Sequence, residues 1–64
     1  MKSKDLKEIG YESTDGFEWI NLDKGLLYDK RLKELFYWTE VDNSTEPICK
    51  IKTFEQLEEL TFLL

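Results

Sequence analysis

The clearest pattern of apolar and polar positions lies at the end of the chain, between Ile48 and Leu64. Apolar residues recur there at the three- and four-residue spacing of an α-helix and, with Thr61 beside them, define a stripe: Phe54, Leu57, Leu60 and Leu64. Thr53 and Gln56 have the spacing of a capping box, in which the threonine hydroxyl accepts from the Gln56 N–H and the glutamine reaches back to Thr53. The pattern therefore predicts a helix over 53–64 that follows a short strand over 48–52.

Turn residues and alternation predict two strands earlier in the chain. Asp15-Gly16 is a strong two-residue turn signal, and it separates residues 11–14 from residues 17–22. Residues 17–22 alternate between two sets of side chains, as a strand with two different faces does. The turn residues at 23–25 then predict a short return strand over 26–28.

The segment after the return strand has two interpretations. Its first half has high helix propensity, with Asp29 as a suitable N-cap. Residues 35–41 are aromatic and β-favouring instead. We expect a polar turn over 29–34 followed by a strand over 35–41, and a helix over 30–38 is the alternative.

A short helix is predicted over 3–9, with Ser3 as its N-cap. Gly10 follows at the position that favours a left-handed residue, and Leu6 and Tyr11 occupy the positions that touch in a Schellman closure. A helix this short requires support from the rest of the fold.

Together these elements predict a single α+β domain over residues 1–64. The dense turn cluster at 42–47 makes the last two strands a hairpin. We expect an antiparallel sheet of three or four strands, with the C-terminal helix (53–64) packed on one face, together with a short N-terminal helix (3–9). The strands are predicted at about 17–22, 26–28, 35–41 and 48–52.

The composition fits a small globular domain without disulfides or a structural metal. Of the 64 residues, 41% are hydrophobic, which is enough for a core. A chain of this length buries only about 60% of its unfolded surface, so it gains from good packing or self-association. Cys49 is the only cysteine and there is no histidine, which argues against a disulfide and a structural metal. We expect Cys49 to be a small core residue.

The charge is acidic and uneven. The net charge is −5, and residues 34–64 carry all of it, because acids and bases balance in residues 1–33. An acidic body is repelled by phosphate, which argues against general nucleic-acid binding. No apolar region follows Met1 as in a signal peptide, and no apolar run is long enough to cross a membrane. We therefore expect a cytoplasmic protein with no membrane partner.

The side chains offer little chemistry, so we expect no catalysis, no cofactor and no metal. Histidine-based triads are absent, and the three glycines are spaced as separate turn residues rather than as a phosphate loop. Acidic pairs such as Glu55 with Glu58 do acid–base work only in a sheltered cleft. A solvated surface is the simpler interpretation of these acids.

Two apolar features remain after the core is assigned, and both are candidate partner-binding surfaces. The strand containing Phe36 and Trp38 is apolar on both faces; the N-terminal helix could cover the second face, or a partner could. Phe62 and Leu63 lie off the helix stripe beside acidic residues, as an interface anchor or as a frayed end.

We therefore expect a small acidic regulator, inhibitor or antitoxin-like protein that binds another protein or a second copy of itself in a homodimer. The alternative is a nucleic-acid-binding module. It would use the sheet aromatics Trp19, Phe36 and Trp38 together with the basic cluster from Lys30 to Lys33.

Overall fold

The computed structural model describes all 64 residues. Its elements are α1 (Ser3–Glu8), β1 (Glu18–Asn21), β2 (Leu26–Asp29), β3 (Glu34–Trp38), β4 (Thr45–Lys50) and α2 (Phe54–Leu63). The strands form one antiparallel sheet in the order β1-β2-β3-β4. The predicted α+β class, the sheet and both helices are confirmed.

Both helices pack on the same face of the sheet. Trp19, Tyr28 and Leu35 lie opposite one another on β1, β2 and β3, so their side chains share that face. Leu6 of α1 and Leu57 of α2 belong to the same buried cluster as these three residues. Full burial of each large apolar side chain contributes about 1.5–3 kcal/mol, so this layer is the main source of hydrophobic stabilisation in the fold.

Helix α2 begins as the sequence predicts, although one arm of the capping box differs. The Gln56 N–H donates to the Thr53 hydroxyl at 3.2 Å, which confirms Thr53 as the N-cap. The Gln56 side chain does not return to Thr53; it accepts from the Lys52 N–H (2.8 Å) and donates to the Lys50 carbonyl (3.1 Å). The glutamine therefore ties α2 to the end of β4.

The buried stripe of α2 differs from the prediction at its last position. Leu57 and Thr61 are buried and Leu60 packs against the core, but Leu64 follows the helix and is 44% exposed. The predicted stripe through Leu64 is therefore wrong at that position, because Leu64 is the last residue of the chain and does not reach the core cluster.

Helix α1 closes as predicted but does not open as predicted. The N-cap is Lys2, whose side chain makes no capping hydrogen bond, so Ser3 as N-cap is wrong. At the other end the Tyr11 N–H donates to the Leu6 carbonyl (3.0 Å), and Gly10 has a φ of +98°. This is the predicted Schellman closure, and it brings Leu6 and Tyr11 together in the core.

The ambiguous segment is a turn followed by a strand, and the alternative helix over 30–38 is wrong. Asp29 Oδ1 accepts from the backbone N–H groups of Arg31 (2.8 Å) and Leu32 (3.2 Å). Lys33 then has a φ of +53°, which an α-helix does not tolerate. Local side-chain hydrogen bonding therefore prevails over helix propensity here.

The last hairpin is shifted relative to the prediction. Strand β3 ends at Trp38 rather than at 41, because Asp42 accepts hydrogen bonds from the Thr39 hydroxyl and from the Ser44 N–H and so folds residues 39–44 into a turn. Strand β4 runs from Thr45 to Lys50 rather than over 48–52. It is an edge strand with an irregular register beside Leu35 and Phe36, a setting that accommodates Pro47.

Asp15 and Gly16 lie in a longer loop rather than in a two-residue turn. Glu12 pairs with Ile20 through two backbone hydrogen bonds of 2.9 and 2.8 Å, which adds a short outer segment beside β1. The Phe17 and Glu18 N–H groups donate to Asp15 Oδ1, and these bonds lower the pKa of that carboxyl. The loop holds residues 12–14 at the border of the sheet face opposite the helices.

Candidate protein-binding surface

The sheet face opposite the helices carries apolar side chains that neither helix covers. Ile20, Leu27, Phe36 and Pro47 lie opposite one another across the four strands and point away from the core layer. Leu27 is only 5% exposed, yet it is not part of the core cluster. We call this surface the open sheet face and define it by Ile20, Leu22, Leu27, Phe36 and Trp38.

The predicted second cover for this face is wrong. Helix α1 buries Leu6 in the core cluster with Leu57, so it lies on the same side of the sheet as α2. The Schellman closure at Gly10 leads the chain from α1 directly to the segment that pairs with β1, and both Leu6 and Tyr11 enter the core cluster on the helix side of the sheet.

Trp38 is held at one end of the open sheet face. Its indole N–H donates to Asn43 Oδ1 at 2.9 Å, and its ring is half-buried. Its backbone N–H donates to the Gly25 carbonyl at 2.9 Å. Gly25 has a φ of +66°, and a Cβ there would lie 3.3 Å from the Trp38 carbonyl oxygen, so this close turn favours glycine.

A groove lies beside Trp38 at the border of the open sheet face. Its volume is about 210 Å³, and it is lined by Glu12, Ser13, Thr14, Ile20, Leu22 and Trp38. Pockets for drug-sized ligands measure roughly 300–1,000 Å³, so this groove suits one side chain better than a cofactor.

The four residues predicted to bind a partner lie on two separate surfaces. Phe36 and Trp38 are half-buried on the open sheet face. Phe62 and Leu63 are 66% and 75% exposed on α2, which packs on the other side of the sheet. The structure therefore does not bring the two pairs together, and the interface role of each pair stays a prediction.

The side chains with potentially reactive groups, Cys49 and Tyr11, are packed in or against the core. Cys49 is a half-buried free thiol that packs against the core, where it lies opposite Leu35. The Tyr11 hydroxyl is buried 2.8 Å from the Thr61 hydroxyl, and burial raises the pKa of Tyr11. No three His, Cys, Asp or Glu side chains come together in a group that could hold a metal ion.

The basic cluster from Lys30 to Lys33 and the sheet aromatics do not form one continuous binding surface. Trp19 is buried on the core face, whereas Phe36 and Trp38 lie on the opposite face, so the three predicted rings are divided. Lys30 Nζ lies 5.5 Å from the centre of the Trp19 ring. The Arg31 guanidinium lies 5.0 Å from the centre of a second ring, that of Phe17, and its Nε is 3.6 Å from Asp29.

Sequence reasoning missed most of the open sheet face. It named Phe36 and Trp38 but not Ile20, Leu22 and Leu27. Alternation assigns Ile20 and Leu22 to the side of β1 opposite Trp19, and this signal was sufficient for those two residues. Assigning Leu27 to this face requires the pairing register of the strands, because its own strand is buried along its whole length and shows no alternation.

Two further findings bear on what this surface can be. Neither helix has the length and apolar character needed to cross a bilayer. No protein-family model matches the chain, and no curated protein or solved structure is significantly similar to it.

Proposed function

We propose that this chain is a small, non-catalytic cytoplasmic protein that acts as a regulator, inhibitor or antitoxin-like module by binding another protein through the open sheet face. One observation carries the proposal: an aromatic and aliphatic layer lies on one side of the sheet while both helices pack on the other. Aromatic residues are enriched in the cores of protein interfaces, where a few of them supply most of the binding energy.

The size of the face indicates how a partner would bind. Four strands at about 4.8 Å spacing and four to six residues in length present roughly 200–300 Å² in projection. A standard interface buries about 800 Å² on each partner. A partner therefore has to contact the border of the face as well, including the Glu12–Thr14 segment and the turn over residues 39–44.

A pair of variants on neighbouring positions of β3 tests the proposal. Phe36→Thr removes the central ring of the open sheet face and keeps a β-favouring residue. Tyr37→Thr is the matched control, because Tyr37 is 46% exposed but projects to the other side of the strand. In quantitative capture from the native host's lysate, Phe36→Thr should lose at least tenfold of the bound partner and Tyr37→Thr should lose little.

A third variant in the same experiment, Phe62→Ser, tests the second predicted surface. If capture depends on Phe62 and not on Phe36, the partner binds α2 and the open sheet face is not the site. Equal capture by all variants that remain folded would contradict both surfaces. Sedimentation of the wild type determines whether the bound molecule is a second copy of this chain.

Nucleic-acid binding has less support as an alternative. The buried Trp19 cannot stack on bases, and Arg31 is already close to Asp29. Titration with single-stranded oligonucleotides at low salt, followed by tryptophan fluorescence, separates the two functions. Quenching that weakens steeply with added salt would favour the nucleic-acid alternative.

A further inference from the structure

We infer that the groove beside Trp38 receives an arginine side chain of the partner protein. This inference rests on the proposed function and names the chemistry that the border of the open sheet face recognises. Binding of an arginine side chain requires a charged group, an apolar floor and an aromatic ring in one groove, and the structure places all three there.

The charged group is Glu12. Residues directly opposite each other in an antiparallel pair project to the same side, so the Glu12 side chain lies on the same side as Ile20. Its backbone position is fixed by the two hydrogen bonds to Ile20. Glu12 is exposed and has no ion pair, because the two ion pairs of the chain are Arg31 with Asp29 and Lys50 with Glu34.

The floor and the ring suit a long side chain with a planar cation. Ile20 and Leu22 offer apolar contact for the methylene groups of an arginine. The Trp38 indole is held by its N–H bond to Asn43 and lines the groove, so its ring is available for contact with a guanidinium there. A guanidinium both stacks on an aromatic ring and donates two hydrogen bonds to one carboxylate, and an ammonium does not combine the two.

The neighbouring charges favour the same ligand. A second depression of about 160 Å³ adjoins the groove through Glu12, Ile20 and Leu22, and it adds the carboxylate of Asp23. The nearby cations, Lys7 and Lys24, form no ion pair with either acid. With a net charge of −5, the chain repels a second copy of itself and attracts a basic partner segment.

The direct test is a titration of the ¹⁵N-labelled protein with two blocked tripeptides, acetyl-Gly-Arg-Gly-amide and its citrulline counterpart. Citrulline keeps the shape of arginine and removes the charge. The arginine peptide should shift the Trp38 indole signal and the amide signals of residues 12–14, 20 and 22. The citrulline peptide should bind at least fivefold more weakly. Equal shifts with both peptides, or no shift in the groove, would overturn the inference.

A variant and its control locate the charge that matters. Glu12→Gln should weaken binding of the arginine peptide about two- to fivefold, the upper part of the range for one exposed ion pair. Glu59→Gln, at an exposed position on α2, removes the same charge elsewhere and should leave binding unchanged. Equal losses in both variants would show only a general effect of net charge and would overturn the site.

Failure of this inference is distinguishable from failure of the proposed function. If Phe36→Thr abolishes partner capture while the arginine peptide does not bind, the open sheet face remains the interface and the arginine site is wrong. If the peptide binds but capture is independent of Phe36, the proposed interface is wrong and the groove remains a separate site.

Discussion

A buried hydrogen bond between Tyr11 and Thr61 joins the beginning of the fold to its end. Both residues are fully buried, and their hydroxyl oxygens lie 2.8 Å apart. The Thr61 hydroxyl also lies 2.7 Å from the Leu57 carbonyl oxygen, to which it donates. A threonine hydroxyl has one proton, so Thr61 must accept from Tyr11. This direction makes the two single substitutions unequal.

Tyr11→Phe removes the donor and leaves Thr61 with its bond to Leu57. We expect a loss of about 0.5–1.5 kcal/mol in the free energy of unfolding, the usual net worth of one hydrogen bond. Thr61→Val keeps the side-chain shape but leaves the buried Tyr11 hydroxyl without a partner, which costs about 1–3 kcal/mol. The double variant leaves no unpaired hydroxyl, so it should cost less than the sum of the single variants.

Urea denaturation followed by circular dichroism measures all four proteins of this cycle. A domain of this size has a total stability of roughly 3–10 kcal/mol, so differences of about 1 kcal/mol are resolved. The reasoning is refuted if Thr61→Val costs no more than Tyr11→Phe, or if the two losses simply add. Either result would mean that the two hydroxyls do not share a buried bond.

Four further outcomes are expected. Leu57→Ala should lower the free energy of unfolding by about 2–5 kcal/mol and Thr53→Ala by about 1 kcal/mol; an unchanged urea midpoint for Leu57→Ala would contradict the packing of α2. A thiol reagent should label Cys49 slowly in the folded protein and rapidly in denaturant, and rapid labelling without denaturant would contradict its packing against the core. Burial raises the pKa of Tyr11, so its contribution to stability is complete below the pKa of an unfolded tyrosine and is lost as pH rises through the folded value. Tyr11→Phe should flatten this alkaline decline in a series of urea titrations, and an unchanged decline would contradict the assignment.

Local signals predicted the elements of this fold well where one feature dominates. Thr53 caps α2, and Gly10 closes α1, because each motif depends on a few adjacent residues. The end of β3 was predicted too late, because three side chains in the 39–44 turn bond to one another rather than extend the strand. Such side-chain networks depend on geometry that composition does not specify.

The candidate surface depended on information that the sequence lacks. Phe36 and Trp38 were identified because their strand is apolar on both faces. The side on which α1 packs decides which of those faces stays open, and nothing in the Leu6 to Tyr11 motif specifies that side in advance. The joining of Glu12 to Ile20 and Trp38 around one groove likewise follows from tertiary structure.

The most direct test of the open sheet face is a methyl-group NMR footprint of the complex with the captured partner. Ile20, Leu22 and Leu27 report on this face, and Leu63 reports on the exposed end of α2. A soluble paramagnetic agent should relax the Ile20 and Leu22 methyl groups in the free protein, because these two are the accessible reporters of the face. The account predicts that the partner protects them and shifts the Leu27 signals, while Leu63 stays accessible. Protection of Leu63 with Ile20 and Leu22 still accessible would contradict it.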